Sequence, residues 1–145
     1  MTFWSIYLRD GIIFLPTQAR TEAGFNLIID PAELVSVHDA QAFAEALKRT
    51  IERGNPKIPT PTRDQLSKMP GVEKYAKLMR WADFAKSAIG WSISEKEGSY
   101  AIAPYKKATG KSYKGQSGWV VDTERAETLP PGATIDDVVR RGRSP

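Results

Sequence analysis

Apolar and polar residues alternate from the start of the chain, with Trp4, Ile6 and Leu8 interleaving with Phe3, Ser5, Tyr7 and Arg9. A period of two places successive side chains on opposite faces of a strand. The next apolar run, Ile12 to Leu15, follows Asp10-Gly11, a pair that suits a type I′ turn because both residues tolerate positive φ. These features predict a tight hairpin. Beyond Pro16, TQARTEAG reads as a polar turn, and FNLIID and ELVSV read as two further strands separated at Pro31. Connections this short exclude crossover helices, so the pattern predicts an antiparallel four-strand meander over residues 3–37.

The period then changes. Ala40, Phe43, Ala44, Leu47 and Ile51 recur at helical spacing between a capping Asp39 and a terminating Gly54, which predicts a helix over 39–53. Lys48, Arg49 and Arg53 near its end suit the helix dipole without needing partners. Three prolines in NPKIPTPTR make 55–63 an extended connector. MPGVEKYAKLM suggests a short helix or irregular turn, and RWADFAKSAIG predicts a helix over 81–89 stopped by Gly90. WSISEKEGSYAIAPY is a second hairpin turning at Glu97-Gly98, with Trp91 and Ile93 opposite Tyr100 and Ile102. GWVVD is expected to return as a strand, completing a second antiparallel set over 91–122. The end allows a turn or two of helix around Ile135–Arg140.

The class these elements define is α+β: one domain over residues 1–141, with 142–145 as a frayed tail. The expected core is Ile6, Leu8, Ile28, Phe43, Leu47, Trp81, Phe84 and Trp91. With 145 residues, such a domain buries roughly two thirds of its unfolded surface without staples.

Composition narrows the chemistry. The absence of cysteine excludes disulfides, thiolate metal sites and cysteine nucleophiles, and permits a cytoplasmic location. No apolar run approaches the roughly 18 residues a membrane span needs, so no membrane association is expected. MTFWSIYLRDG lacks the basic and apolar regions of a signal and reads as a mature start. The net charge of +4 is uneven: residues 1–38 carry two basic and four acidic groups, whereas 39–90 carry ten and six. A basic middle is compatible with nucleic acid or with an acidic protein surface.

Catalytic constellations are sparse. His38 is the single histidine and reads as a polar junction residue before a helix; alone it makes no zinc site. Asp136-Asp137 and Asp122/Glu124 are adjacent carboxylates, but the first pair fits the N-terminal end of a short helix better than a metal. There is no G-x-S-x-G elbow. We therefore expect no enzyme activity and no cofactor. ATGKS, Ala108 to Ser112, ends as a P-loop does, yet Tyr105 stands where G-x-x-x-x-G-K requires its first glycine. The following YKGQSGW also starts no helix.

The stretch that remains is a basic, aromatic loop. Tyr105, Lys106, Lys107, Lys111, Tyr113 and Lys114 form the candidate partner-binding set. Lysines interleaved with tyrosines suit a protein interface, where Tyr anchors and Lys steers. They also suit, as the alternative, single-stranded nucleic acid, where Lys neutralises phosphates and Tyr stacks on bases. A solvated loop with no ligand has the same composition.

In size, in its α+β pattern, and in the manner of WSIYLRDG and GWSISEKEGSYAIAP, the chain resembles immunity proteins of bacterial polymorphic toxin systems, particularly those of contact-dependent growth inhibition. The resemblance implies a cytoplasmic protein whose partner is a cognate toxin domain, neutralised by stoichiometric binding. It carries over no individual residue. Many inhibitors of nuclease toxins are acidic, and the positive charge here departs from that pattern. The order strands–helix–strands also looks like the single-strand-binding Whirly domains.

Overall fold

The computed structural model describes residues 1–69, 71–107 and 119–143. Its centre is β1 (Thr2–Arg9). The Asp10-Gly11 turn takes positive φ at both residues (51° and 74°), as a primed turn requires. The chain returns as β2 (Ile12–Thr21), then β3 (Asn26–Ser36). The N-terminal meander therefore has three strands instead of four. FNLIID and ELVSV form one strand that runs through the cis Asp30–Pro31 bond, because the β2–β3 ladder accommodates the proline as a bulge opposite Pro16/Thr17. Thr17 to Thr21 belong to β2, so the polar turn is confined to residues 22–24. The ladder with β3 pairs Thr17 to Arg20 with Ile29 to Asn26 and engages their backbone groups.

Helix α1 (Ala40–Arg53) is capped by Asp39, whose carboxylate accepts from Ala42 N–H. Its basic end is paired: Arg49 and Arg53 both bridge Glu33 of β3, and Lys48 reaches Asp136. The connector contributes β4 (Lys57–Ile58), two residues parallel to the far end of β2. Next come α2 (Arg63–Lys68), closed by a Thr62/Gln65 capping box, a 3-10 turn (Val72–Ala76) and α3 (Trp81–Ala85). The expected helix over 81–89 is cut short because Ala88 already pairs with Arg9 in β5 (Ala88–Lys96). Gly90 lies within that strand.

β6 (Ser99–Lys107) follows the Glu97-Gly98 turn. Ile93 opposes Ile102 as expected, whereas Trp91 opposes Pro104 and Tyr100 opposes Glu95. β7 (Trp119–Val121) and β8 (Glu127–Thr128) share the outer edge of β6. β1 pairs with β5 over its whole length, from Thr2↔Glu95 to Arg9↔Ala88. The two strand sets are thereby one sheet, in the order β3-β2-β1-β5-β6-β7, antiparallel except for β4.

Both faces of this sheet are covered, which is why β1 alternates two kinds of bulky residue. Trp4 and Ile6, with Ile13, Leu15, Trp91, Ile93 and Ile102, pack on α1 and on α4 (Ile135–Arg141). Tyr7 and Phe14 face the other way, onto Val72 and Phe84. Of the expected core, Ile6, Phe43, Leu47, Phe84 and Trp91 are buried, while Leu8, Ile28 and Trp81 are only partly so. Gly142, where the tail was expected to begin, is buried and its carbonyl accepts from the Trp91 indole, while 144–145 lie outside the described residues. No helix among the described residues is long and apolar enough to cross a membrane.

Candidate functional site

Gly90 organises the second face. It lies opposite Tyr7 in the β1–β5 register, and its missing side chain is replaced by rings from the neighbouring strands. A Cβ built there would stand 2.8 Å from Trp119 Cζ3 and 3.0 Å from Tyr105 Cδ2. Tyr105 consequently lies flat beside Tyr7, with centroids 6.3 Å apart and planes at 6°. Trp119 sits 6.2 Å from Tyr7 and meets Trp81 edge to face at 5.2 Å. These rings hold one another in fixed orientations and leave parts of Trp81, Trp119 and Tyr105 open to solvent.

Beneath them is a hydroxyl pair. Ser5 Oγ and the Tyr105 hydroxyl are 2.7 Å apart. Burial pushes the Tyr7 phenol up to about 12, with the Ser5 hydroxyl opposing and the Glu73 charge adding to the rise. Tyr105 is raised as well, first by burial and then by Tyr7, against the Ser5 hydrogen bond. Both phenols are neutral hydrogen-bonding groups at physiological pH.

These groups line a cleft of about 700 Å³ between the sheet and the 3-10 turn. It opens where β1 and β2 part. The β1–β2 ladder spans only Tyr7–Arg9 and Ile12–Phe14, and the two strands separate beyond it. Asn55 bridges the gap: its side chain accepts from Phe3 N–H at 2.9 Å and donates to the carbonyls of Phe3 and Gln18 at 2.8 and 3.0 Å. Gln18 itself faces the cleft. It is 5% exposed, and no described residue hydrogen-bonds its side-chain amide. On the opposite wall Glu73 accepts from Gly71 N–H at 3.3 Å. It is the only charged side chain lining the cleft among the described residues, and no described cation pairs with it.

The sequence-predicted set is divided by this arrangement. Tyr105 joins the ring cluster, half-buried and with its hydroxyl engaged. Lys106, its neighbour in β6, faces the other side of the sheet, its Nζ 3.9 Å from the buried Asp122 carboxylate. Lys107 is exposed at the strand end, and Lys111, Tyr113 and Lys114 lie outside the described residues, as does the ATGKS run. His38 is exposed between β3 and α1. Asp137 forms a capping box with Thr134, which holds its carboxyl below the usual range, and Asp136 pairs with Lys48. Among the described residues no group of His, Asp or Glu is arranged to hold a metal.

Tyr7, Gln18 and Glu73 were not singled out by sequence reasoning. One signal did exist. Gly90 inside the apolar run AIGWSIS marks a strand position approached by other groups, and it was read as a helix stop. Gln18 and Glu73 carried no such mark, because only the fold brings them to one cleft. A second cavity, about 530 Å³, lies between β8 and α4, but its charged groups are paired internally, Glu127 with Arg141 and Asp137 with Arg140.

No family model matches the chain, and no curated protein matches it. Among solved structures it is similar to the protein of unknown function NMB0488 from Neisseria meningitidis, with a TM-score of 0.60. The superposition covers 98% of this chain and 90% of that one at 8% sequence identity. At that identity the likeness establishes a shared α+β fold.

Proposed function

We propose that this protein is a stoichiometric protein-binding inhibitor: a cytoplasmic immunity protein that neutralises a cognate toxin domain by forming a complex with it. The observation that supports this reading best is the ring cluster of Tyr7, Trp81, Trp119 and Tyr105, locked by mutual packing and partly open at the cleft. Rigid, amphipathic aromatics bury much area at little entropic cost, which is how binding hot spots are built. Lys74, Lys77 and Lys107, exposed nearby in the chain and unpaired among the described residues, suit the rim, where charge steers encounter more than it adds affinity. The protein does no chemistry of its own in this reading.

The test is co-expression with the toxin domain encoded by the adjacent gene. Growth should be rescued, and the two chains should co-elute on size exclusion. Trp119→Ala should weaken the complex by about 2 kcal/mol or more, and Lys107→Ala by less than about 1 kcal/mol. Unrelieved toxicity with no complex refutes the proposal. Fluorescence anisotropy with single-stranded DNA and RNA tests the nucleic-acid alternative: binding there should fall steeply with salt.

A further inference from the structure

We propose that the cleft beside Tyr105 binds a guanidinium-type organic cation, held by Glu73 and Gln18 against the rings of Trp81 and Trp119. Four features of the cleft converge on that chemistry. Its one charged lining residue among those described is an acid, although the chain as a whole is basic. That carboxylate pairs with no described cation, and a cationic guest would neutralise it. The walls are aromatic faces, which attract cations through the ring quadrupole. Several other polar lining groups can accept: the amide oxygens of Gln18 and Asn26, and lone pairs on the Ser5 and Tyr105 hydroxyls.

Gln18 adds an acceptor to the site: its amide bonds to no described residue and opens onto the cleft, where a ligand bearing N–H donors would engage it. A guanidinium fits better than an ammonium. It is planar, weakly hydrated, stacks on indole rings and spreads its donors toward two acceptors at once. An anion would meet the Glu73 charge. Glu73 is also positioned: its carboxylate folds back over Gly71, where a Cβ would lie 2.3 Å from Oε2. The assignment does not depend on the toxin-binding reading, because the cation can be a free metabolite or an arginine side chain of a partner.

Titration of the whole protein with agmatine, followed by tryptophan fluorescence and calorimetry, tests the proposal. Saturable binding in roughly the millimolar range or tighter is expected. N-carbamoylputrescine, in which a neutral urea replaces the guanidinium, and cadaverine, in which an ammonium replaces it, should both bind more weakly. Glu73→Gln and Gln18→Leu should each reduce agmatine affinity by about tenfold while leaving the far-UV circular dichroism unchanged. Gly71→Ala, which displaces the carboxylate without altering its charge, should also weaken binding. An N-acetyl-arginine amide arm separates the sources: binding equal to agmatine points to a partner's side chain, and clearly weaker binding points to a free cation. No saturable agmatine signal, or equal affinity in Glu73→Gln, overturns the proposal.

Discussion

The indole N–H of Trp91, in the middle of β5, donates to the carbonyl of Gly142 at 2.7 Å. This bond fixes the end of α4 to the centre of the sheet. Gly142 is required there because a Cβ would lie 2.7 Å from Ile93 Cδ1 and 2.8 Å from the Val138 carbonyl. Trp91→Phe strands a buried carbonyl and should cost about 1–3 kcal/mol in urea unfolding. A chain ended at Arg141 leaves the indole unpaired and should lose a comparable amount. If that shortened chain unfolds at the same urea concentration as the full one, the C-terminal bond contributes nothing.

Asn55 stands in for a missing stretch of ladder between β1 and β2. Its three hydrogen bonds to Phe3 and Gln18 backbone groups join strands whose own pairing stops at Tyr7 and Phe14. Asn55→Ala should destabilise by about 2–3 kcal/mol, since it leaves several part-buried backbone groups unpaired together. Asn55→Asp keeps the acceptor but loses both donor bonds and sets a carboxylate against two carbonyls. It should be no better than Ala. Hydrogen exchange at the Phe3 amide reads the local effect directly.

Gly90→Ala should be destabilising by about 1–3 kcal/mol, an overpacking cost, although glycine-to-alanine changes usually favour a strand. The added methyl meets the rings of Trp119 and Tyr105 and the Ile6 carbonyl at 3.2 Å. The accompanying signature is a shift in tryptophan emission as Trp119 moves. Unchanged emission and stability would mean that the rings yield without cost.

Alkaline pH should unfold the protein through its buried phenols. Tyr7 is pushed up to about 12, mainly by burial, and Tyr105 is raised in the same direction for the same reason. A folded-state value above the unfolded one means that the native state holds its proton longer. The resulting stability is intact below the unfolded value of about 10 and is lost as pH rises toward 12, at up to ~1.4 kcal/mol per pH unit for each such group. Tyrosinate absorbance should rise together with loss of circular dichroism. Tyr7→Phe should shift this unfolding to higher pH.

Local physics was enough for the elements whose geometry depends on neighbours in the chain. The Asp10-Gly11 and Glu97-Gly98 turns, the period-two alternation in β1 and the capped, amphipathic α1 were legible because turn torsions, strand faces and helix stripes are set within a few residues. The sequence by itself thus determined the α+β class and much of the core. It did not determine that β1 lies between β2 and β5, which merges two strand sets into one sheet. That pairing spans some eighty residues, and strand edges carry no label for a distant partner. The length of α3 was misjudged for the same reason: helical spacing continued to Ala88, but the open edge of β1 recruited that residue as a strand. The cleft was decided by tertiary structure alone. Tyr105 and Lys106 were visible as a basic aromatic pair, yet the strand turned them to opposite sides. Ser5 meets Tyr105 only because β5 lies between β1 and β6, and Gln18 and Glu73 share the cleft only because the 3-10 turn crosses the opening between β1 and β2.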